Sequence, residues 1–329
     1  MAWQTESVSE QPVTGTAPVV GPEPSDTVTA KQVTWAELFF DLVFVVAVTQ
    51  MSTLLERNHS WAGLLRALIV FVPIYWTWVG TSIQTNQADT SRPLLRLRIF
   101  VVALAAVFMA LALPQVYGRD GLVCAAAYWI GRLVLGAPLL RRSGRGRAIP
   151  VNPYSVSMVI TGPLLVVGAL LHGVPREAVW GAAAVLDLAT PAVLRARLRG
   201  MRFDAAHLAE RFGLFVLIAL DESVVAVGTS APSQGLGVAR ASAVAAAFAL
   251  SCGLWWVYFH CAADAMRHSL ATAKVQLDIT RSVLSYGHLS FIAASAAQPE
   301  QFGLGWATTS GRRKLSRLQY VSGVESGRR

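Results

Sequence analysis

The chain has 329 residues, 54% hydrophobic and only 14% charged, with a formal net charge of +9 and a mean hydropathy of +0.48. A soluble protein carries about a quarter charged residues, so this balance excludes an ordinary soluble enzyme and makes lipid the main solvent of the fold. The positive excess lies in short loops between apolar runs, which argues against nucleic acid as a partner and for retention of Arg and Lys on one side of a membrane.

In chain order, residues 1–32 are rich in Thr, Val, Pro, Ser and Glu and lack the basic stretch and apolar core of a signal peptide. They predict a disordered cytoplasmic tail. A scan at the length of a membrane span, about 17 to 25 residues, predicts helices at 33–55, 62–84, 97–117, 121–140, 155–173, 176–195, 212–229 and 236–259, with a weaker segment at 283–298. The expected fold is all-α, a polytopic transmembrane bundle of 8 to 9 spans occupying residues 33–298. Loops with Arg92, Arg96 and Arg98, with Arg141, Arg142, Arg145 and Arg147, with Arg195, Arg197, Arg199 and Arg202, and with Arg267, Lys274 and Arg281 alternate with loops holding little beyond Arg57, Arg119, Arg176 and Arg240. The positive-inside rule makes the rich loops cytoplasmic and places the N-terminus inside with them. If the last segment crosses, Arg312, Arg313, Lys314 and Arg317 fall outside against that rule, so 299–329 reads as a basic polar tail, non-native or truncated.

Ionisable groups at membrane depth cost about 2.5 to 3.5 kcal/mol each on insertion scales and face the bundle interior or a water-filled path. The first predicted span holds Glu37 and Asp41, four residues apart and therefore on one helix face. Like charges at that spacing repel, which requires a cation between them or a proton on one. At about 1.5 Å of rise per residue, Arg132, Asp187 and Glu222 fall near the midplane of their own spans, with Asp221 beside the last. Arg132 is the candidate partner for Asp41, Asp187 or Glu222, and one arginine leaves acid in excess. Uncompensated membrane carboxylates are what proton relays and cation paths use; the alternative is a polar core that only fixes helix register.

Other features are weaker. His260, Asp264 and His268 stand at i, i+4 and i+8 and form a weak metal candidate that lacks a fourth ligand, so no metal site is expected. Trp61, Tyr75, Trp76 and Trp78, like Trp255, Trp256 and Tyr258, read as interfacial aromatic belts. Cys124, Cys252 and Cys261 are odd in number, without metal spacing, and read as buried inert thiols. No phosphate loop, dinucleotide fingerprint, serine elbow or HExxH stretch is present, and Ser223 has no histidine base nearby in sequence, so neither an enzyme nor a cofactor is expected.

The blocks VTWAELFFDLVFVVAVTQ, PIYWTWVGTSIQTNQAD and HLAERFGLFVLIALDESVVAVG, with Arg132, Asp187 and WWVYF between and after them, resemble the bacterial low temperature requirement A family over residues 33–298. The resemblance implies a multi-pass protein of the bacterial cytoplasmic (inner) membrane, in a family named for growth in the cold and without a settled activity. It carries over motif positions Glu37, Phe40, Asp41, Trp76, Trp78, Asp89, Arg132, Asp187, His207, Glu210, Arg211, Phe212, Gly213, Glu222 and Ser223. Asp221 stands where the family has glycine, and His260 where an acid is common. Members continue through further apolar segments, so the stop near Gln298 implies a truncated or frame-altered C-terminus. The expected role is passage of a small solute or ion, proton- or cation-coupled, through a polar core lined by Asp41, Asp187 and Glu222. The alternative is a structural or regulatory membrane protein whose ion pairs serve packing alone.

Overall fold

The computed structural model describes residues 31–56, 58, 60–143, 150–230 and 237–290, with the side chains of Glu222 and Ser223 outside that description. All regular structure among them is helical. The elements are α1 (Trp35–Glu56), α2 (Trp61–Gln87), α3 (Pro93–Ala112, continued by a 3-10 turn at Leu113–Gln115) and α4 (Gly121–Ser143). Then come α5 (Pro153–Leu170), α6 (Val174–Val193) and α7 (Ala205–Ser230). The described chain ends with α8 (238–272) and α9 (276–290).

Local chemistry sets the boundaries. Ser60 caps α2 by accepting the Gly63 N–H at 3.0 Å, and Asn152 and Ser155 form a reciprocal capping box at the start of α5. Pro163 has no N–H to give the carbonyl four residues back, and the turn just before it, Ser157–Thr161, widens into π geometry. Two more π turns occur at Val257–Ala262 in α8 and Thr280–Gly287 in α9.

Helix α2 is the axis of the bundle and packs against α1, α3, α4, α6 and α7. In its most apolar stretch 67% of residues are buried, against 11% in the corresponding stretch of α8, so α2 is core and α8 is periphery. Without a hydrophobic drive between helices in lipid, close packing holds them together. Here the packing is aromatic: Trp78 stacks on Phe215 at 4.1 Å and meets Phe212 edge-on at 4.9 Å, with Tyr75, Phe71, Phe44 and Phe40 around them. Tyr75, Trp76, Trp78 and also Tyr258 are buried in the bundle and do not form an interfacial belt, whereas Trp61, Trp255 and Trp256 are exposed.

Six described segments are long and apolar enough to cross a membrane: Trp35–Leu55, Trp61–Gln87, Pro93–Gln115, Gly121–Leu139, Pro153–Leu170 and Val244–Thr272. The seventh expected span, drawn from 212, begins earlier, because Asp204 caps α7 by accepting the His207 N–H at 3.0 Å. His207 and Arg211 therefore lie inside the helix and not before it. The weaker segment expected at 283–298 belongs to α9 as far as 290, and the rest of it, the tail 299–329 and residues 1–30 lie outside the described residues. Of the thiols, Cys124 is buried but Cys252 and Cys261 are exposed, since α8 turns most of its surface outward.

Candidate functional site

Helices α1, α2 and α7 each bring polar side chains at i and i+4 to one place: Glu37 and Asp41, then Trp78, Ser82 and Asn86, then His207 and Arg211. Because α1 and α7 contribute their first two turns and α2 its last turns, the cluster sits at one end of the bundle, about 10 Å or less below the helix starts. Glu37, Asp41, His207 and Arg211 are all buried, with 1% exposure or less. Arg211 lies between the two acids, its Nη1 3.1 Å from Glu37 Oε1 and its Nη2 2.7 Å from Asp41 Oδ1. Trp78 Nε1 donates to the same Asp41 oxygen at 2.7 Å, and Arg211 Nη2 also reaches Ser82 Oγ at 3.3 Å. Glu37 Oε2 accepts the Thr34 N–H and hydroxyl at 2.9 and 2.8 Å. His207 Nε2 lies 3.3 Å from Glu37 Oε1. That contact and Arg211 Nη1 to Glu37 are at ion-pair distance but off the hydrogen-bond direction.

The rim of this cluster is tied down by backbone contacts. Asn86 reaches across to the α7 cap, its Oδ1 accepting the Asp204 N–H at 3.0 Å and its Nδ2 donating to the Asp204 carbonyl at 2.9 Å and facing His207 Nδ1 at 3.1 Å. Lys31 closes the C-terminal end of α2 by donating to the carbonyls of Thr85, Asn86 and Ala88. Burial against that helix end pulls its ammonium below the ordinary lysine range, with Glu37 opposing.

A second buried set lies between α4, α5 and α6. Asp187 Oδ2 accepts the Tyr128 hydroxyl, and its Oδ1 accepts Ser157 Oγ at 2.8 Å. Arg132 stands 3.9 Å from Asp187 and lies over the Tyr128 ring at 5.0 Å. Gly80 makes room for it: a Cβ there would come within 2.8 Å of Arg132 Nη1. Ser157 belongs to the π turn ahead of Pro163, which gives that turn a local use. A third buried cation, Arg176, has no carboxylate partner among the described residues; it donates to the carbonyls of Val116, Gly118, Ala169 and Leu171 and so closes two helix ends.

The structure sorts the sequence-derived residues accordingly. Of the three acids for which Arg132 was a candidate partner, it approaches Asp187; Asp41 is held by Arg211. Asp221 is exposed and not part of a polar core, because it falls on the outward stripe Leu217, Asp221, Val224 of α7. The side chains of Glu222 and Ser223 lie outside the described residues. Among the motif positions Phe40, Trp76, Trp78, Phe212 and Gly213 are buried, while Asp89 and Glu210 are exposed. His260, Asp264 and His268 are all exposed, and Asp264 pairs with Arg267. No group of three His, Cys, Asp or Glu gathers for a metal among the described residues.

Sequence reading gave Arg211 and His207 only as motif positions, and it missed Asn86, Ser82, Tyr128 and Ser157 altogether. Two signals were present: Asp204 three residues before His207 marks a helix start, and the pairs at i and i+4 repeat on every helix of the site.

Residues 32–311 match the family model described as Bacterial low temperature requirement A protein (LtrA), running past Gln298, where the resemblance was expected to stop. An uncharacterized protein of Rhizobium meliloti (strain 1021) is 27% identical over 287 residues, covering 81% of this chain and 70% of the relative. No solved structure matches.

Proposed function

The chain belongs to the bacterial low temperature requirement A family, and on that premise we propose that it is a membrane carrier or conductor, not an enzyme, that moves a small solute or ion in a proton- or cation-coupled manner. The proposed setting is the bacterial inner membrane, with eight or nine crossings, the N-terminus inside and the cluster of α1, α2 and α7 at the cytoplasmic end. One observation carries the reading: two buried carboxylates, Glu37 and Asp41, share a single guanidinium, Arg211. A structural ion pair has no use for the extra acid, whose burial is costly, whereas a site that binds and releases a cation requires it.

A structural reading is favoured for the other set, where one arginine faces one aspartate and neutral hydroxyls of Tyr128 and Ser157 complete the shell. The test is flux in liposomes carrying an internal pH dye, for protons, sodium and potassium under imposed gradients. The parent protein conducts or exchanges at least one of them and Asp41→Asn abolishes it; well-folded parent without flux, together with a less heat-stable Asp41→Asn, supports packing alone.

A further inference from the structure

The transport reading leaves open which cation offsets the extra acid, and the orientation of one amide decides it. Asn86 lies with its Oδ1 on the Asp204 N–H and its Nδ2 on the Asp204 carbonyl. Flipping the amide would set donor against donor and acceptor against acceptor, so the orientation is fixed. The second hydrogen on Nδ2 then points at His207 Nδ1, 3.1 Å away. A nitrogen that accepts a hydrogen bond carries no proton, so His207 is neutral and its single proton sits on Nε2, toward Glu37. The histidine cannot supply the second positive charge.

The groups around Asp41 are accounted for element by element. On α1 there is Glu37; on α7 there are Arg211, the neutral His207 and, at the cap, Asp204, whose Oδ1 takes the His207 N–H. On α2 the facing groups Trp78, Ser82 and Asn86 are uncharged, and Tyr75 gives its hydroxyl to the Ser285 carbonyl. Arg92, Arg96 and Arg98 at the start of α3 are exposed or half-buried. Lys31, at the rim, donates to carbonyls of α2 and interacts electrostatically with Glu37, Asp204 and Asp89. Among the described residues, two acids face one cation inside the cluster, with Lys31 outside it on the carbonyls at the end of α2.

A metal cation of ordinary valence is bound by several oxygens at once, typically six or more for the hard ions. Here two of the oxygens are taken by donors, Glu37 Oε2 by Thr34 and Asp41 Oδ1 by Trp78 and Arg211, while Glu37 Oε1 has His207 and Arg211 nitrogens at ion-pair distance. Two carboxylate oxygens in the cluster are buried and accept no hydrogen bond from the described residues: Glu37 Oε1, which has Arg211 Nη1 and His207 Nε2 at ion-pair distance, and Asp41 Oδ2. Two such oxygens fall short of the set a hard metal ion needs, and Glu37 Oε1 already faces a guanidinium and an imidazole, so Asp41 Oδ2 is where a proton can sit.

We propose that the cluster's exchangeable cation is a proton carried on Oδ2 of Asp41, with Asn86 the positioning residue that keeps His207 from taking it. Loading forms the Oδ2–H bond and brings the cluster to neutrality; release breaks that bond, delivers the proton to water and leaves the carboxylate paired with Arg211. Glu37, surrounded by donors, stays ionised throughout.

Infrared spectroscopy of the purified full chain in lipid tests this without any substitution. At neutral pH the protein shows a protonated-carboxyl carbonyl band that shifts when aspartate is carbon-13 labelled, does not shift when glutamate is labelled, and fades as the pH rises. Nitrogen-15 spectra of labelled histidine show one imidazole with its proton on Nε2 that does not become imidazolium while the band fades; His207→Gln identifies that signal. Absence of the aspartate band, its removal by sodium or potassium at constant pH, or an imidazolium at His207 in the same range each overturns the proposal. The inference rests on the transport reading but fails separately from it. Flux that requires Asp41 without the band refutes the proton and keeps transport, whereas the band without flux under any gradient keeps the proton and refutes transport.

Discussion

The two buried charge sets of this bundle differ in balance, not in burial. Between α4, α5 and α6, Arg132 and Asp187 oppose one another with Tyr128 and Ser157 completing the acid's shell. Between α1, α2 and α7, Glu37 and Asp41 share Arg211, and His207, whose Nδ1 faces Asn86, fills the remaining corner. A fold that needed polar contacts only for helix register would be served by the first arrangement twice. On the proposed reading, the contrast separates a set that fixes geometry from one that holds an exchangeable charge.

The largest expected effect comes from the shared cation. Arg211→Met leaves two acids buried without a partner and lowers stability by about 3–5 kcal/mol, the range for breaking a buried pair, read as the thermal unfolding midpoint in detergent. Adding Asp41→Asn recovers part of the loss. Arg132→Met costs less, about 1–3 kcal/mol, because Asp187 keeps two neutral donors; equal losses for the two arginines would erase the distinction. Trp78→Phe and Tyr128→Phe each remove one donor to a buried acid and are expected to cost about 1.5–3 kcal/mol by the same readout. Trp78→Phe alters flux as well, since it touches Asp41, while Tyr128→Phe does not.

The smallest effect lies outside both sets, where Arg195 pairs with Asp278 and ties the α6–α7 link to α9. The hydrogen bond from Arg195 holds the Asp278 carboxyl below its ordinary value. Its contribution is therefore full above the unfolded aspartate range and lost as the pH falls through the lowered folded value. Both groups are exposed enough for solvent to screen them, so Asp278→Asn changes the acid limb of the stability profile slightly and the neutral region hardly at all.

Much of this was legible in the sequence, and the misses have physical causes. Helical class and helix positions follow from runs of apolar residues of spanning length, and the depth of Glu37, Asp41, Arg132 and Asp187 follows from rise per residue. Partner choice does not, because it depends on which faces meet. Arg211 was set outside the membrane by a hydropathy boundary, since AAHLAER at the start of α7 is polar enough to end an apolar window even though Asp204 caps the helix there. Asp221 read as a core acid because it adjoins Glu222, yet one residue along a helix is a turn of about 100° and places it on the outer stripe. The Asn86 contact to His207 joins residues far apart in sequence and has no local signature.

The most direct measurement compares flux through Asp41→Asn and Asp187→Asn in the same pH-dye liposomes as the parent, at matched protein content and with folding checked by thermal midpoint. The account predicts that Asp41→Asn abolishes flux while remaining folded and that Asp187→Asn, if folded, retains it. Equal flux in all three proteins, or loss in both variants alike, would contradict the assignment of ion handling to the cluster of α1, α2 and α7.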